Sequence, residues 1–367
     1  MPTNVTLVAP VASYRGGIAR HSGMVAEALH AMDDVEFHAE GFSRLYPARL
    51  YPGNDPKLGA RALPVYPLRE ALDTLDIRSW RRVAQEIVGR GGIAVFPVWT
   101  FFTAPCLGWI ARYVRQRGVK TVGIVHNVAD HEDSWWKARL TRWQINACDV
   151  IITHGKDLAE QAGKAGFVGP IHIEPHPPYS DFPESEGTLP QERALELLCF
   201  GLVRPYKGTE IALKALSDAG LPDARLTIAG EIWPDAEDVR ISASGMPDVE
   251  LIDEYVSDQQ AAELFARADV LLLPYHSVTG SGVLAMARHY RVPVVASDLP
   301  ALSSEILQDG LGWTFPAGDA QALAHLLHTR ITRDAANAKS ATMPDAAASS
   351  GWHTIASCVL ESAGKRP

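Results

Sequence analysis

Short, wholly apolar runs recur along this chain, and between them lie segments with helical periodicity. Val5–Ala9, Ile93–Phe96, Val122–Val125 and Val150–Thr153 are such runs, and Ile18–Met32, Cys106–Arg117 and Trp135–Ala147 are the helical stretches between them. A strand that is apolar on both faces needs cover on both, so this alternation predicts a parallel sheet between two layers of helices. Pro170–Pro190 breaks the rhythm with Pro175, Pro177, Pro178, Pro183 and Pro190, together with Glu184, Glu186 and Gly187, and reads as a linker. The alternation then resumes through Leu197–Phe200, Thr209–Ala219, Leu226–Ala229, Val249–Ile252, Gln259–Ala268, Val270–Leu273, Ala285–His289 and Val294–Ala296. With 367 residues there is room for two domains. The expectation is an α/β protein of two doubly wound, Rossmann-like domains facing an interdomain cleft, the first over residues 1–180 and the second over 181–347. In such sheets ligands sit at the carboxyl ends of the strands.

Composition closes off other classes. The chain is 47% hydrophobic and 21% charged, which is globular and neither disordered nor fibrous. A net charge of −9 argues against general nucleic-acid binding, which relies on a basic footprint. No apolar run approaches the ~20 residues of a membrane span, and MPTNVTLVAP lacks the basic start of a signal peptide. The four cysteines are scattered without a CxxC pair, so neither a zinc site nor a disulfide framework is indicated. A cytoplasmic protein is expected, with at most a peripheral hold on the inner membrane face. Trp136, Leu140 and Trp143 share a helical stripe beside Lys137, Arg139 and Arg142. Such a helix could rest on a membrane surface, but the net charge opposes anionic lipid, and core or acceptor-pocket lining is the better reading. The Ala/Ser-rich segment Ala335–Ser350 reads as a linker or surface helix.

Four loops that follow strands could carry chemistry. Gly16-Gly17 opens a helix, and glycine there lets backbone N–H groups approach an anion, although a tight turn alone would also call for glycine. Arg204 and Lys207, in the loop after Leu197–Phe200, place a guanidinium fork and a point charge where a diphosphate could sit. Gly280-Ser281-Gly282 is another possible anion-binding helix start, or simply a turn with a serine cap. In the first domain, His126, Asn127, Asp130, His131 and Glu132 cluster after a strand. HxxxxH followed by Glu is not a zincin pattern and no further ligand is apparent, so no metal is expected.

In this order the motifs resemble the GT-B glycosyltransferases, and most closely the retaining enzymes of family 4. The matching stretches are Arg15–Ala19, Val125–Asn127 with His131-Glu132, Phe200–Gly208, Leu226–Gly230, Val256–Val270, Pro274 and Pro293–Asp298. The resemblance implies that Arg204 and Lys207 hold the donor's diphosphate and that Gly16 and Gly17 approach it. His126 would act at the reacting sugar, with Asn127, His131 and Trp136 on the acceptor side. The segment Glu231–Trp233 and the pair Tyr255-Val256 would flank the nucleotide base, Thr279, Ser281, Gly282 and Val283 would lie against the phosphates, and Glu305 would touch sugar or phosphate. The segment 348–367 would cross back onto the first domain. One departure stands out: where the family shows two glutamates eight apart, His276–His289 contains no carboxylate.

The implied activity is metal-independent transfer of a sugar from a UDP- or GDP-sugar to an acceptor hydroxyl on a glycan, a lipid-linked sugar or a small molecule. Retention would follow from front-face departure of the diphosphate. No cofactor beyond the co-substrate is implied, and the chain would be a monomer or dimer. The alternatives are a GT-B-fold sugar-nucleotide epimerase and a non-catalytic nucleotide- or carbohydrate-binding protein.

Overall fold

The computed structural model describes residues 2–11, 13–47, 64–128, 135–179, 181–185, 195–221, 223–278, 280–344, 350–362 and 364. These divide into two compact units, 1–177 with 349–367, and 178–348.

The first unit runs β1 (Thr3–Val8), α1 (Gly17–His30), β2 (Val35–Arg44), β3 (Leu68–Asp73), α2 (Ile77–Arg90), β4 (Ile93–Val98), α3 (Ala104–Arg115), β5 (Lys120–Val125), α4 (Trp135–Ile145), β6 (Val150–Thr153), α5 (Lys156–Lys164) and β7 (Ile171–Ile173). Its strands form one parallel seven-stranded sheet in the order β3-β2-β1-β4-β5-β6-β7. The order reverses between β1 and β4, the switch point at which doubly wound sheets bind ligands. β4 is buried at every residue, because helices cover both its faces. Ile93, Phe96, Leu107 and Ile110 are fully buried, each worth about 1.5–3 kcal/mol of transfer free energy.

The second unit runs β8 (Leu195–Phe200), α6 (Thr209–Ala219), β9 (Ala224–Ala229), α7 (Glu237–Ser244), β10 (Val249–Ile252), α8 (Asp258–Arg267), β11 (Val270–Leu273), α9 (Gly282–Tyr290), β12 (Val294–Ser297), α10 (Pro300–Gln308), β13 (Gly312–Phe315), α11 (Ala320–Arg330) and α12 (Arg333–Thr342). Its parallel sheet has the order β10-β9-β8-β11-β12-β13. Leu226, Ile228, Leu272 and Val295 from the strands pack with Leu213 and Leu216 of α6 and Leu323 and Leu327 of α11. A capping box between Ser257 and Gln260 starts α8. The Ala/Ser-rich segment begins as α12, which buries Ala336.

The last helix, α13 (Ser350–Glu361), belongs to the first unit. It buries Trp352, Ile355 and Val359, and its Cys358 Sγ donates to Glu174 Oε1 at 3.5 Å.

Several elements differ from the apolar-run reading. β2 and β3 carry His38, Glu40, Ser43, Arg69 and Glu70, so they lack an all-apolar run. The charge is tolerated because Glu40, itself buried, pairs with Arg69 and Arg90 at 2.9 Å each. β7 lies inside the proline-rich stretch, pairing with β6 from Ile151↔Ile171 to Thr153↔Ile173.

Candidate functional site

In the second unit the loop after β8 turns through a 3₁₀ segment, Pro205–Lys207, directly into α6. Gly208 makes this possible. Its φ is +62°, and a Cβ there would lie 1.9 Å from the Pro274 carbonyl oxygen, so this loop presses against the segment after β11. No side chain caps α6, and a helix start without a side-chain cap leaves amides to satisfy an anion. Lys207 Nζ donates to the Tyr275 hydroxyl at 3.1 Å. Burial works against the Lys207 charge, but Tyr275 and Tyr206 outweigh it and hold its pKa above the usual lysine value. A Cβ on Gly201 would stand 3.5 Å from both Lys207 Nζ and Val283 Cγ2, so Val283 comes close to the Gly201 backbone beside a small pocket. That pocket is lined by Gly201, Val203, Lys207, Thr209, Pro274 and Tyr275, among others.

Arg204 does not join Lys207 there. Its guanidinium lies 4.2 Å over the Trp233 ring and pairs with Asp235, Nη2 to Oδ2 at 2.8 Å. Trp233 and Asp235 follow β9, whereas Tyr275 follows β11, and β8 lies between those two strands. The two cations therefore turn to opposite flanks of β8, which corrects the picture of one fork-and-point-charge cradle. The physical reason is Asp235, a carboxylate in guanidinium reach that the 204–207 motif does not reveal.

The other expected donor residues have definite places. Ser281 caps α9, accepting from the Leu284 N–H at 3.3 Å, and Gly282 begins that helix. Glu231 is buried, and its carbonyl accepts from the Val203 N–H at 3.0 Å. Val256 is buried and Tyr255 half-buried beyond β10. Glu305 sits on α10 with its carboxylate taken by Arg288 Nη2 at 3.0 Å, an arginine that also pairs with Asp309. Burial pushes the Glu305 carboxyl above its usual pKa. Its place on α10 is thus beside Arg288 of α9. Thr279 and His131 lie outside the described residues, as does Glu132.

In the first unit Gly16 has φ +99°, and a Cβ on Gly16 or Gly17 would meet nothing within 4 Å. Asn127 donates from Nδ2 to the Trp99 carbonyl at 3.1 Å, tying the loop after β5 to that after β4. Trp136 is 44% exposed and Trp135 77%, so the start of α4 is not core; Trp136 meets the Phe101 ring edge-on at 5.1 Å. Farther along, Trp143 packs against Gly108, where a Cβ would come within 2.4 Å of the indole.

His126 directly follows β5, and its N–H donates to the Val98 carbonyl at 2.8 Å. It does not stand alone. His21 of α1 lies 4.5 Å away and His154, just after β6, 5.3 Å, measured between ring centroids. His176 stands 5.2 Å from both His21 and His154, and Trp352 of α13 lies 5.0 Å from His21. The expectation that no further ligand adjoins His126 is thus corrected. The histidines come from separate elements, and the signal for two of them was a histidine immediately or shortly after a strand, as at His126. His21 is 1% exposed, and neither of its ring nitrogens has a hydrogen-bond partner, at a cost of roughly 1–3 kcal/mol per unmade bond. Burial, then the neighbouring imidazoles, hold His21 and His126 well below the usual histidine pKa. Burial also lowers His154. All three rings are neutral at pH 7.

Residues 15–177 match the model for Glycosyltransferase Family 4, and residues 194–332 that for Glycosyl transferases group 1. Between them the two models take in most of the chain, which is similar in sequence to the glycosyltransferases of these families and has a fold of the GT-B type. A GDP-mannose:glycolipid 4-beta-D-mannosyltransferase of Xanthomonas campestris pv. campestris is 28% identical over 232 residues, 57% of this chain and 59% of that protein. The chain thus aligns with somewhat more than half the length of this relative. A phosphatidyl-myo-inositol mannosyltransferase of Mycobacterium leprae is 32% identical over 42% of each chain. Among solved structures, a Rickettsia africae glycosyltransferase superposes with TM-score 0.72 at 12% identity over the whole of both chains. Anabaena HepE, in complex with UDP and glucose, does so with TM-score 0.69 at 15% identity over 99% of this chain and 97% of that one. At such identities the likeness is one of fold.

Proposed function

We propose that this chain transfers a sugar from a nucleoside-diphosphate donor to a hydroxyl on a lipid-linked glycan. GDP-mannose is the first donor to test, because both sequence relatives are named as mannosyltransferases. The observation that carries the reading is the Lys207 ammonium at the start of α6, where no side chain caps the helix. A cation beside free helix-terminal amides is complementary to a diphosphate whose negative charge grows as the glycosidic bond breaks. Ser281 and the first turn of α9 would approach the same group from the next strand. Val256 and Glu231 are assigned to the nucleotide side, and His126 to the reacting end of the sugar. No step is routed through a metal.

Retention is the course the family resemblance implies, with the departing diphosphate taking the acceptor's proton. A second reading is favoured by the Xanthomonas relative, whose name specifies a β-mannosyl product. A β product from an α-linked donor requires inversion, and inversion needs a base; a neutral imidazole such as His126 is a group of that kind. Peripheral membrane contact fits a lipid-linked acceptor, since among the described residues no helix is long and apolar enough to cross a membrane.

The test is a panel of UDP- and GDP-sugars with and without lipid-linked acceptors, with the product's anomeric configuration read by NMR. Slow hydrolysis of one donor and acceptor-dependent transfer are expected. An α product identifies retention and a β product inversion. An epimerised donor, or tight binding without turnover, would overturn the transferase reading.

A further inference from the structure

We infer that His21, His126 and His154 form a binding site for one divalent transition-metal ion of the zinc class. Each can present one ring nitrogen such that the three lie within 4.8 Å of one another. His21 Nδ1 and Nε2, His126 Nε2 and His154 Nε2 are all buried without a hydrogen-bond partner. His154 is already set as a ligand. Its Nδ1–H donates to the Glu174 carbonyl at 3.0 Å, which leaves Nε2 as a bare lone pair. That is the outer contact a metal-bound imidazole characteristically makes, fixing both tautomer and ring direction.

The chemistry selects the class of ion. Neutral imidazole suits zinc, copper and nickel, and nothing hard enough for calcium or magnesium is present among these three donors. Zinc–nitrogen bonds of about 2.0–2.1 Å place tetrahedral ligand atoms about 3.4 Å apart, so the rings close in by roughly an ångström on binding. His21 can move little, because Trp352 backs its ring at 5.0 Å. The adjustment falls to His126 and His154, which stand at the ends of β5 and β6. The inference rests on the first unit alone, and an ion held through His126 Nε2 takes the lone pair that the inverting reading gives to a base, so for that ring the two are alternatives.

The experiment uses the full chain, freed of metal with a chelator and titrated with zinc by calorimetry and with cobalt(II) by visible absorption. The expected result is one ion per chain, an absorption band of tetrahedral cobalt with nitrogen ligands, and a melting temperature that rises with zinc concentration. His154→Ala and His21→Ala should each weaken binding by at least ~100-fold, more than loss of an outer contact does. If His21→Ala fails to fold, His154→Gln, at a half-buried ring, carries the test. His276→Ala, at an exposed pair with Glu210, should leave affinity and stoichiometry unchanged. Absence of stoichiometric binding, or binding that survives His154→Ala and His154→Gln or disappears with His276→Ala, would overturn the site.

Discussion

The carboxyl ends of the two sheets present opposite chemistry. Behind β5 and β6 stand half-buried, uncharged imidazoles packed on the buried His21, whereas behind β8 stand an ammonium and a guanidinium. The same topological position thus offers lone pairs in one unit and positive charge in the other. A fold of this kind fixes where a site lies, and the side chains after each strand decide what it attracts. The contrast also holds within the second unit, where Lys207 is held by a neutral hydroxyl and Arg204 by a carboxylate. A cation whose partner is neutral keeps its charge for a ligand. A cation already paired must give up one anion to take another.

The largest expected effect is at the neutral end. His126→Ala should lower kcat with GDP-mannose or the donor found in its place by about 10²–10⁴, the range for a positioned acid or base. Circular dichroism should show the fold retained. Activity within a factor of a few would detach the imidazole cluster from the reaction.

Lys207→Ala should lower kcat by about 10²–10³, that is about 2.7–4 kcal/mol, the loss typical of one preorganised donor to a developing charge. Weaker calorimetric binding of the nucleoside diphosphate should accompany it. Unchanged turnover would make the loop a surface turn.

Arg204→Ala should cost less, within about tenfold, since its guanidinium is already engaged by Asp235 and Trp233. An effect equal to that of Lys207→Ala would break the distinction between the two cations. It would mean that Arg204 leaves Asp235 when the donor binds.

The smallest effect concerns stability. In the folded chain His21, His126 and His154 take up protons below the usual histidine range, while in the unfolded chain they do so near about pH 6.5. Below that pH the unfolded state binds more protons, so stability rises with pH and is lost on acidification. The melting temperature should therefore fall between pH 7.5 and 5.5, and less steeply in His21→Gln. A flat profile in the parent protein would show that these rings are not buried as described.

The sheets were largely legible because strands such as β4, β5, β6 and β11 are continuous apolar runs. β2 and β3 were not, since Glu40 is buried through arginines from β3 and α2 that no local pattern pairs with it. At the candidate site, His126 and Lys207 could be picked out because each follows a strand. The direction of Arg204 could not, as it is set by Asp235 from the neighbouring strand's loop. The companions of His126 were hidden for the same reason. They arrive from α1 and β6, and only the wound topology brings them together.

The seating of Trp352 beside His21 has a consequence for biosynthesis. α1 and all seven strands of the first sheet leave the ribosome well before α13 does, and the whole second unit is made in between. Until α13 arrives, the face of α1 that carries His21 lacks the cover that keeps its ring dry. The unit whose sheet is translated first is therefore completed only after the second unit, and its nascent form must wait, with an apolar face open to chaperones, until α13 has been made.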